Sequence, residues 1–180
     1  MRVTTGKARG TPLKAPAGQL TRPTADKVKE ALFNIIQFEI ADAAVLDLFA
    51  GSGQLGIEAL SRGASRAVFV DHREDACAVV RENLRRTGLE GQGSVVRADY
   101  AAYLNSCRDT FQLILLDPPY SETFLENSIK KLVEIDILQS GGIIGLERPV
   151  GKDFPLEFSG YSRSRDYKYG KTLLTFYRKV

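Results

Sequence analysis

The chain begins with a polar stretch and becomes strongly periodic after residue 24. Val28, Ala31, Leu32, Ile35 and Ile36 recur at helical spacing and predict a helix over about 25–37, with Thr24 as its N-cap after Pro23. Lys27 and Lys29 fall off that apolar stripe and are expected on its wet side. From Ala43 onward short apolar runs alternate with helical stretches. The runs at 44–48, 67–71, 94–97, 111–116 and 143–147 read as strands, and the segments at 54–62, 73–87 and 124–133 as helices. The helix over 73–87 has Glu74 and Asp75 in its first turn, Arg85 and Arg86 in its last, and Gly88 as its stop. Such alternation predicts an α/β domain with a mostly parallel sheet and helices on both faces. The tail differs: residues 161–167 and 172–178 flank a Tyr169-Gly170 turn and predict an antiparallel hairpin at the sheet edge. Around Gly6-Lys7-Ala8-Arg9-Gly10 two short strands predict a ribbon with little core of its own, which must lean on the body or on a partner.

With 180 residues the chain has room for one full core, divided here into a basic N-terminal extension (1–22) and a main domain (23–180). A hydrophobic share of 43% with 26% charged residues suits a globular protein that stays out of membranes. The absence of a membrane-length apolar run or leader-like start predicts a cytosolic location, and nothing points beyond a monomer. Cys77 and Cys107 lack metal-ligand spacing and read as two reduced thiols. Net charge is only +3, but residues 1–36 carry +5, residues 37–147 carry −7, and residues 148–180 carry +5. Basic ends around an acidic centre fit a polyanion-binding rim about a small-molecule pocket.

Candidate chemistry lies at the ends of the predicted strands. Gly51-Ser52-Gly53-Gln54-Leu55-Gly56 matches the G-x-G-x-x-G fingerprint between a strand and a helix, where backbone can approach a nucleotide-like ligand closely. Asp47 and Phe49 immediately precede it, and Asp47 could meet an ammonium group. Asp71, twenty residues after Gly51, could accept from both ribose hydroxyls, or cap the next helix, or both. His72, the single histidine, receives no chemistry and at most borders the donor pocket. Asp99 could take a hydrogen bond from an adenine amino group and Tyr100 could cover a ring, although an aspartate at a strand end often serves only as a cap.

Asp117-Pro118-Pro119-Tyr120 follows the run Phe111–Leu116 and asks for different chemistry. An exocyclic amine on a purine is a poor nucleophile because its lone pair is delocalised into the ring. Two acceptors, the Asp117 carboxylate and the Pro118 carbonyl, could draw that nitrogen toward tetrahedral geometry. The prolines would keep the acceptors aimed, and Tyr120 would stack on the base. Hydride transfer with a nicotinamide cofactor would need the glycine turn and Asp71 but leaves this tetrapeptide unexplained.

These residues resemble an S-adenosylmethionine-dependent methyltransferase with a seven-stranded Rossmann-like sheet. More closely they resemble the RsmD family, which methylates N2 of one guanine in 16S ribosomal RNA. The match is carried by Arg22-Pro23-Thr24 with residues 26–34, by 45–53 and 55–64, by Asp117-Pro118-Pro119-Tyr120 and by Tyr169-Gly170-Lys171-Thr172. The resemblance implies that Asp47, Gly51 and Gly53 surround the donor's methionine part, that Asp71 holds its ribose, and that Asp99 meets its adenine edge. It places residues 117–120 at the target guanine and Arg22 and Thr24 near the same cleft. Arg2, Lys7, Arg9, Lys14 and Lys27 complete the expected RNA-binding set, with the small ribosomal subunit or an assembly intermediate as partner. Family members often have Glu where this chain has Asp71, one methylene shorter. Adenine-N6 methylation of DNA or RNA remains open, as does a non-catalytic RNA-binding protein with the same fold.

Overall fold

The computed structural model describes residues 1–18, 26–118, 122–151 and 157–180. Thr24 and Pro23, expected at the start of the first helix, lie outside them.

Five parallel strands form the centre of one sheet: β1 (Ala44–Asp47), β2 (Arg66–Asp71), β3 (Gly93–Arg97), β4 (Phe111–Leu116) and β5 (Leu138–Pro149). β6 (Tyr161–Arg163), β7 (Tyr167–Tyr169) and β8 (Thr172–Lys179) extend it antiparallel. The order is β3-β2-β1-β4-β5-β8-β6, with β7 also on β8. Because β6 and β7 lie end to end along β8, the sheet is seven strands wide, as the resemblance implies.

Strand side chains alternate between two cores, which is the period-two consequence of burying both faces. Val45, Phe69, Leu113 and Leu115 face one layer with α1 (Asp26–Ile35), α2 (Gln54–Ser61) and α3 (Glu74–Thr87). Leu46, Val70, Ile114 and Leu116 face the other with α4 (Tyr100–Ser106) and α5 (Glu122–Ile135).

Three departures from the sequence reading have physical causes. First, the seven-residue α4 was not anticipated; its N-cap is Asp99, whose Oδ1 accepts from the Ala101 N–H at 2.9 Å and the Ala102 N–H at 3.3 Å. Second, the arm expected over 161–167 is broken in two, because Asp166 leaves the ladder to meet Arg148 (2.6 Å), Arg163 (3.1 Å) and the Thr175 hydroxyl (2.5 Å).

The third is Lys29, which is fully buried rather than on the wet side; Lys27 is exposed as expected. Periodicity sees the apolar stripe of α1 but not the N-terminal ribbon that covers its polar flank. The ribbon closes with an Arg2–Pro12 bridge and sends Val3, Ala8 and Leu13 into the first core. The Lys29 ammonium donates to the Arg2 carbonyl at 2.6 Å and lies 3.4 Å from the buried Glu58 carboxylate and 3.8 Å from Asp26. Glu58 also accepts from the Thr4 N–H (2.9 Å), the Thr4 hydroxyl (2.7 Å), the Thr5 N–H (3.0 Å) and Arg62 Nε (2.9 Å). A buried charge with this many donors is satisfied, and removing it leaves Lys29 buried without its main counter-charge. Glu58→Ala is expected to lower unfolding free energy by about 3–5 kcal/mol in denaturant titrations and to speed hydrogen exchange at Thr4 and Thr5. Stability within about 0.5 kcal/mol of the parent would show that the ribbon is held without the Glu58 cluster, by its apolar contacts and its bonds to Ser61 and Asn83.

Candidate active site at the carboxyl edge of the sheet

The chain runs outward from β1 through β2 to β3, then returns to place β4 on the other side of β1. Ligands in open α/β sheets bind at such a switch point, outside the strands' carboxyl ends. Asp47 pairs in register with Leu115, and the Leu48 N–H donates to the Leu115 carbonyl at 3.2 Å. The glycine turn after β1 and Asp117-Pro118 after β4 therefore leave the same edge from neighbouring strands, one strand spacing of about 4.8 Å apart. Asp47 also pairs with Phe69, and Asp71 with Arg97, so Asp71 and Asp99 come to that same edge.

The turn itself is held from three sides. Gly51 and Gly53 have positive φ (+54° and +77°), conformations that side chains disfavour, and at Gly51 a Cβ would meet open space. Gly56 serves packing instead: a Cβ there would lie 2.3 Å from the Phe69 ring, so α2 sits directly on β2. Asp71 joins two turns, its Oδ2 accepting from the Gly51 N–H and its Oδ1 from the Arg73 N–H, both at 2.9 Å. Both oxygens of the shorter carboxylate are thus already engaged by backbone. His72 Nδ1 lies 3.7 Å from Asp71, with the ring mostly exposed.

Asp47 is buried beneath the turn and accepts from the Gly56 N–H at 2.9 Å. Burial pushes its carboxyl up to about 7; the Gly56 hydrogen bond opposes this and the Asp71 charge adds to it. At the start of α2, Gln54 Oε1 is a buried acceptor with no hydrogen-bond partner among the described residues. A cationic donor group entering here would satisfy Gln54 and favour ionised Asp47.

Phe124 and Asn83, which the sequence reading gives no role, complete the edge with Phe49 and Tyr100. Phe49 and Tyr100 meet with ring centroids 5.4 Å apart, and Phe124 of α5 closes the group at 5.5 Å and 4.8 Å. Phe124 is legible only as a helical residue, because its ring neighbours come from the turn after β1 and from α4. Asn83 is buried and donates to the Ser52 carbonyl (2.8 Å) and the Lys14 carbonyl (2.9 Å), while accepting from the Lys14 N–H (2.8 Å). It ties the glycine turn to the ribbon.

The other expected residues are spread out. Asp117 and Pro118 are partly exposed at the end of β4; Pro119, Tyr120, Arg22 and Thr24 lie outside the described residues. Arg2 lies 3.9 Å from Asp26 and Lys14 lies 3.4 Å from Glu82. The Lys7 N–H donates to the Ser61 carbonyl at the last turn of α2, and Lys7 Nζ donates to Gln92 at 2.6 Å. The ribbon's tip, with Lys7 and exposed Arg9, is therefore one α2 length, about 12 Å, from the glycine turn.

A switch-point cleft with a glycine turn on one strand and an acidic Asp-Pro exit on its neighbour defines the methyltransferase class of Rossmann-like enzymes. Comparisons with known proteins agree. The chain is 41% identical over 182 residues to YlbH of Bacillus subtilis (strain 168), covering 99% of both chains. It is 32% identical over 179 residues to Ribosomal RNA small subunit methyltransferase D of Escherichia coli (strain K12), covering 99% of this chain and 90% of that one. The solved structure of yhhF from Escherichia coli superposes with a TM-score of 0.89 at 32% identity, covering 99% and 97% of the two chains. A family model described as Conserved hypothetical protein 95 matches residues 1–178, and the chain belongs to that family, the RsmD family. It is a methyltransferase.

The raised carboxyl of Asp47 has a signed consequence. A carboxyl with a higher pKa folded than unfolded stabilises fully below its unfolded value, 3.8, and that contribution is lost as pH rises through about 7. In denaturant titrations without ligand, Asp47→Asn should gain about 2–4 kcal/mol on the parent between pH 4 and pH 8. Parallel pH profiles would mean that Asp47 stays ionised.

Proposed function

We propose that this protein transfers a methyl group from S-adenosylmethionine to the exocyclic N2 of a guanine in 16S ribosomal RNA. The observation that carries the reading is the β1–β4 pairing, which brings the glycine turn and Asp117-Pro118 to one cleft. The name borne by the Escherichia coli relative supports the ribosomal substrate, and the strand-end Asp-Pro supports an amine as the acceptor.

The residues present fit the donor. Open space at Gly51 admits it against backbone, and the unpartnered Gln54 Oε1 with the Asp47 carboxyl suits an ammonium group. Asp71 meets the ribose only through lone pairs left over from Gly51 and Arg73, and Asp99 or the ring of Tyr100 borders the adenine. When bound, the donor supplies an electrophilic methyl, which needs in-line approach more than acid or base help.

The protein's part is orientation. A guanine turned out of its stack presents N2 to the Asp117 carboxylate and the Pro118 carbonyl, which accept its two hydrogens and localise the lone pair on nitrogen. The methylated nitrogen then sheds one proton, which passes to the Asp117 carboxylate. Tyr120 completes the base site by stacking. Arg2, Lys7, Arg9, Lys14, Arg22, Thr24 and Lys27 contribute to RNA binding. In this reading residues 1–22 form a basic extension on a catalytic domain over 23–180. The partner is the assembling small subunit, and the enzyme works as a cytoplasmic monomer; no helix among the described residues is long and apolar enough to cross a membrane.

The test is transfer of labelled methyl to undermethylated small subunits, followed by mapping. Label at a guanine N2 is expected; label at adenine N6 instead would hand the cleft to the rival amine, and no label would reject the assignment. Asp117→Ala is expected to cut transfer by at least about a hundredfold, the order of a lost positioning and proton-accepting group. Calorimetric S-adenosylmethionine affinity should stay within about twofold. Joint loss of both would show that Asp117 serves the donor instead. Asp71→Ala has the opposite signature: weaker donor binding and faster hydrogen exchange at Gly51.

A further inference from the structure

The basic residues of the N-terminal ribbon are largely engaged: Arg2 with Asp26, Lys7 with Gln92, Lys14 with Glu82. The opposite end of the sheet differs. Pro149 at the end of β5 pairs with Thr172 at the start of β8, and Tyr169 of β7 pairs with the same Thr172. The Val150 N–H donates to the Lys171 carbonyl at 2.9 Å. The β7–β8 turn therefore stands at the carboxyl edge, level with the catalytic cleft. Lys168 and Lys171 are exposed there, with Arg165 just before β7. Among the described residues no carboxylate pairs with any of the three, since Asp166 is taken by Arg148 and Arg163.

The same turn presents aromatic surface. Tyr169 is 38% exposed, and it shares a strand face with Tyr167, two residues earlier. The Arg165 guanidinium lies over the Tyr167 ring, 5.0 Å from its centroid. Tyr167 in turn meets Phe176 edge-on at 6.1 Å, so its ring is backed by the core. Cations without a carboxylate partner beside an exposed ring at a strand edge are what single-stranded nucleic acid requires: phosphates meet the cations and a base stacks on the ring. Three strand spacings separate the end of β4 from β7, about 14 Å. Tyr169 is thus too far to touch the reacting base and fits a neighbouring nucleotide.

We propose that the β7–β8 hairpin, through Tyr169, Lys168, Lys171 and Arg165, is a binding site for single-stranded RNA flanking the target nucleotide. The site rests on the RNA reading of the cleft given above. It makes the C-terminal hairpin a principal RNA contact beside the reacting cleft. Arg148, Asp166 and Thr175 position it: the ion pair fixes the kink between β6 and β7 and so sets the direction of the turn.

The test uses the full chain and a fluorescently labelled single-stranded RNA oligonucleotide, read by anisotropy without donor. Lys168→Ala with Lys171→Ala should weaken binding roughly tenfold at fixed salt. It should also flatten the slope of log affinity against log salt by about 1.4, the share of two phosphate contacts on a single strand. Tyr169→Ala should weaken binding by roughly tenfold, and Tyr169→Phe should restore it to within about twofold, because stacking needs the ring and not the hydroxyl. Unchanged S-adenosylmethionine affinity in each variant reports an intact fold. RNA binding equal to the parent in all variants overturns the site. So does normal binding of the oligonucleotide with lost binding to assembled subunits, which would assign the hairpin to a ribosomal protein. A parent that binds RNA through the hairpin yet methylates no guanine would sink the proposed reaction and leave the site standing.

Discussion

The parallel pairing of β1 with β4 is the constraint on which the rest of the molecule depends. It joins residues 44–47 to 113–115 across a long stretch of chain, and it does so at the point where strand order reverses. Pairing at that position leaves two carboxyl-end loops side by side with no helix between them, because the crossovers leave the sheet in opposite directions. The apolar runs that form the strands are buried on both faces, so a shift of one residue would exchange the two cores and bury the wrong side chains. Register is therefore tightly specified. With it, the distance between the glycine turn and the Asp117-Pro118 exit is fixed by backbone hydrogen bonds instead of by flexible side chains. That rigidity suits a reaction whose main demand is alignment.

Charge is distributed on the same scaffold by burial. Asp47 lies under the turn with one backbone donor, and desolvation holds its proton to about 7. Glu58 is as deeply buried but surrounded by donors from the ribbon, α1 and α2. One carboxylate is under-supplied where a cation could complete it; the other is saturated where it anchors the chain's beginning. The contrast separates a carboxyl short of donors from a saturated structural junction, although the two acidic residues stand only eleven positions apart.

The strand ends and the glycine turn of this edge are legible in the sequence. The sequence offers Asp71 as a helix cap, but α3 begins at Glu74 with Arg73 as its N-cap and no side-chain cap; Asp71 instead accepts from the Gly51 and Arg73 amides in the turns before it. Asp99 was noted as a possible cap, and it caps α4, a helix too short for its period to register. Amphipathic spacing puts Lys29 on the wet side because it describes one helix alone, while burial depends on what is laid against it. The kink at Asp166 was invisible because its partners, Arg148 and Thr175, are distant in sequence and meet only across β5 and β8.

Local chemistry settled the five parallel strands and the longer helices, where glycine must occupy positive φ, and which acidic residues terminate strands. Those properties follow from period, propensity and short-range hydrogen bonding, all carried by neighbouring residues. Tertiary structure alone decided that Phe124 joins Phe49 and Tyr100, that Glu58 receives both Lys29 and the ribbon, and that the β7–β8 turn stands level with the cleft. Each depends on strand order and on contacts between segments tens of residues apart, which no local pattern encodes.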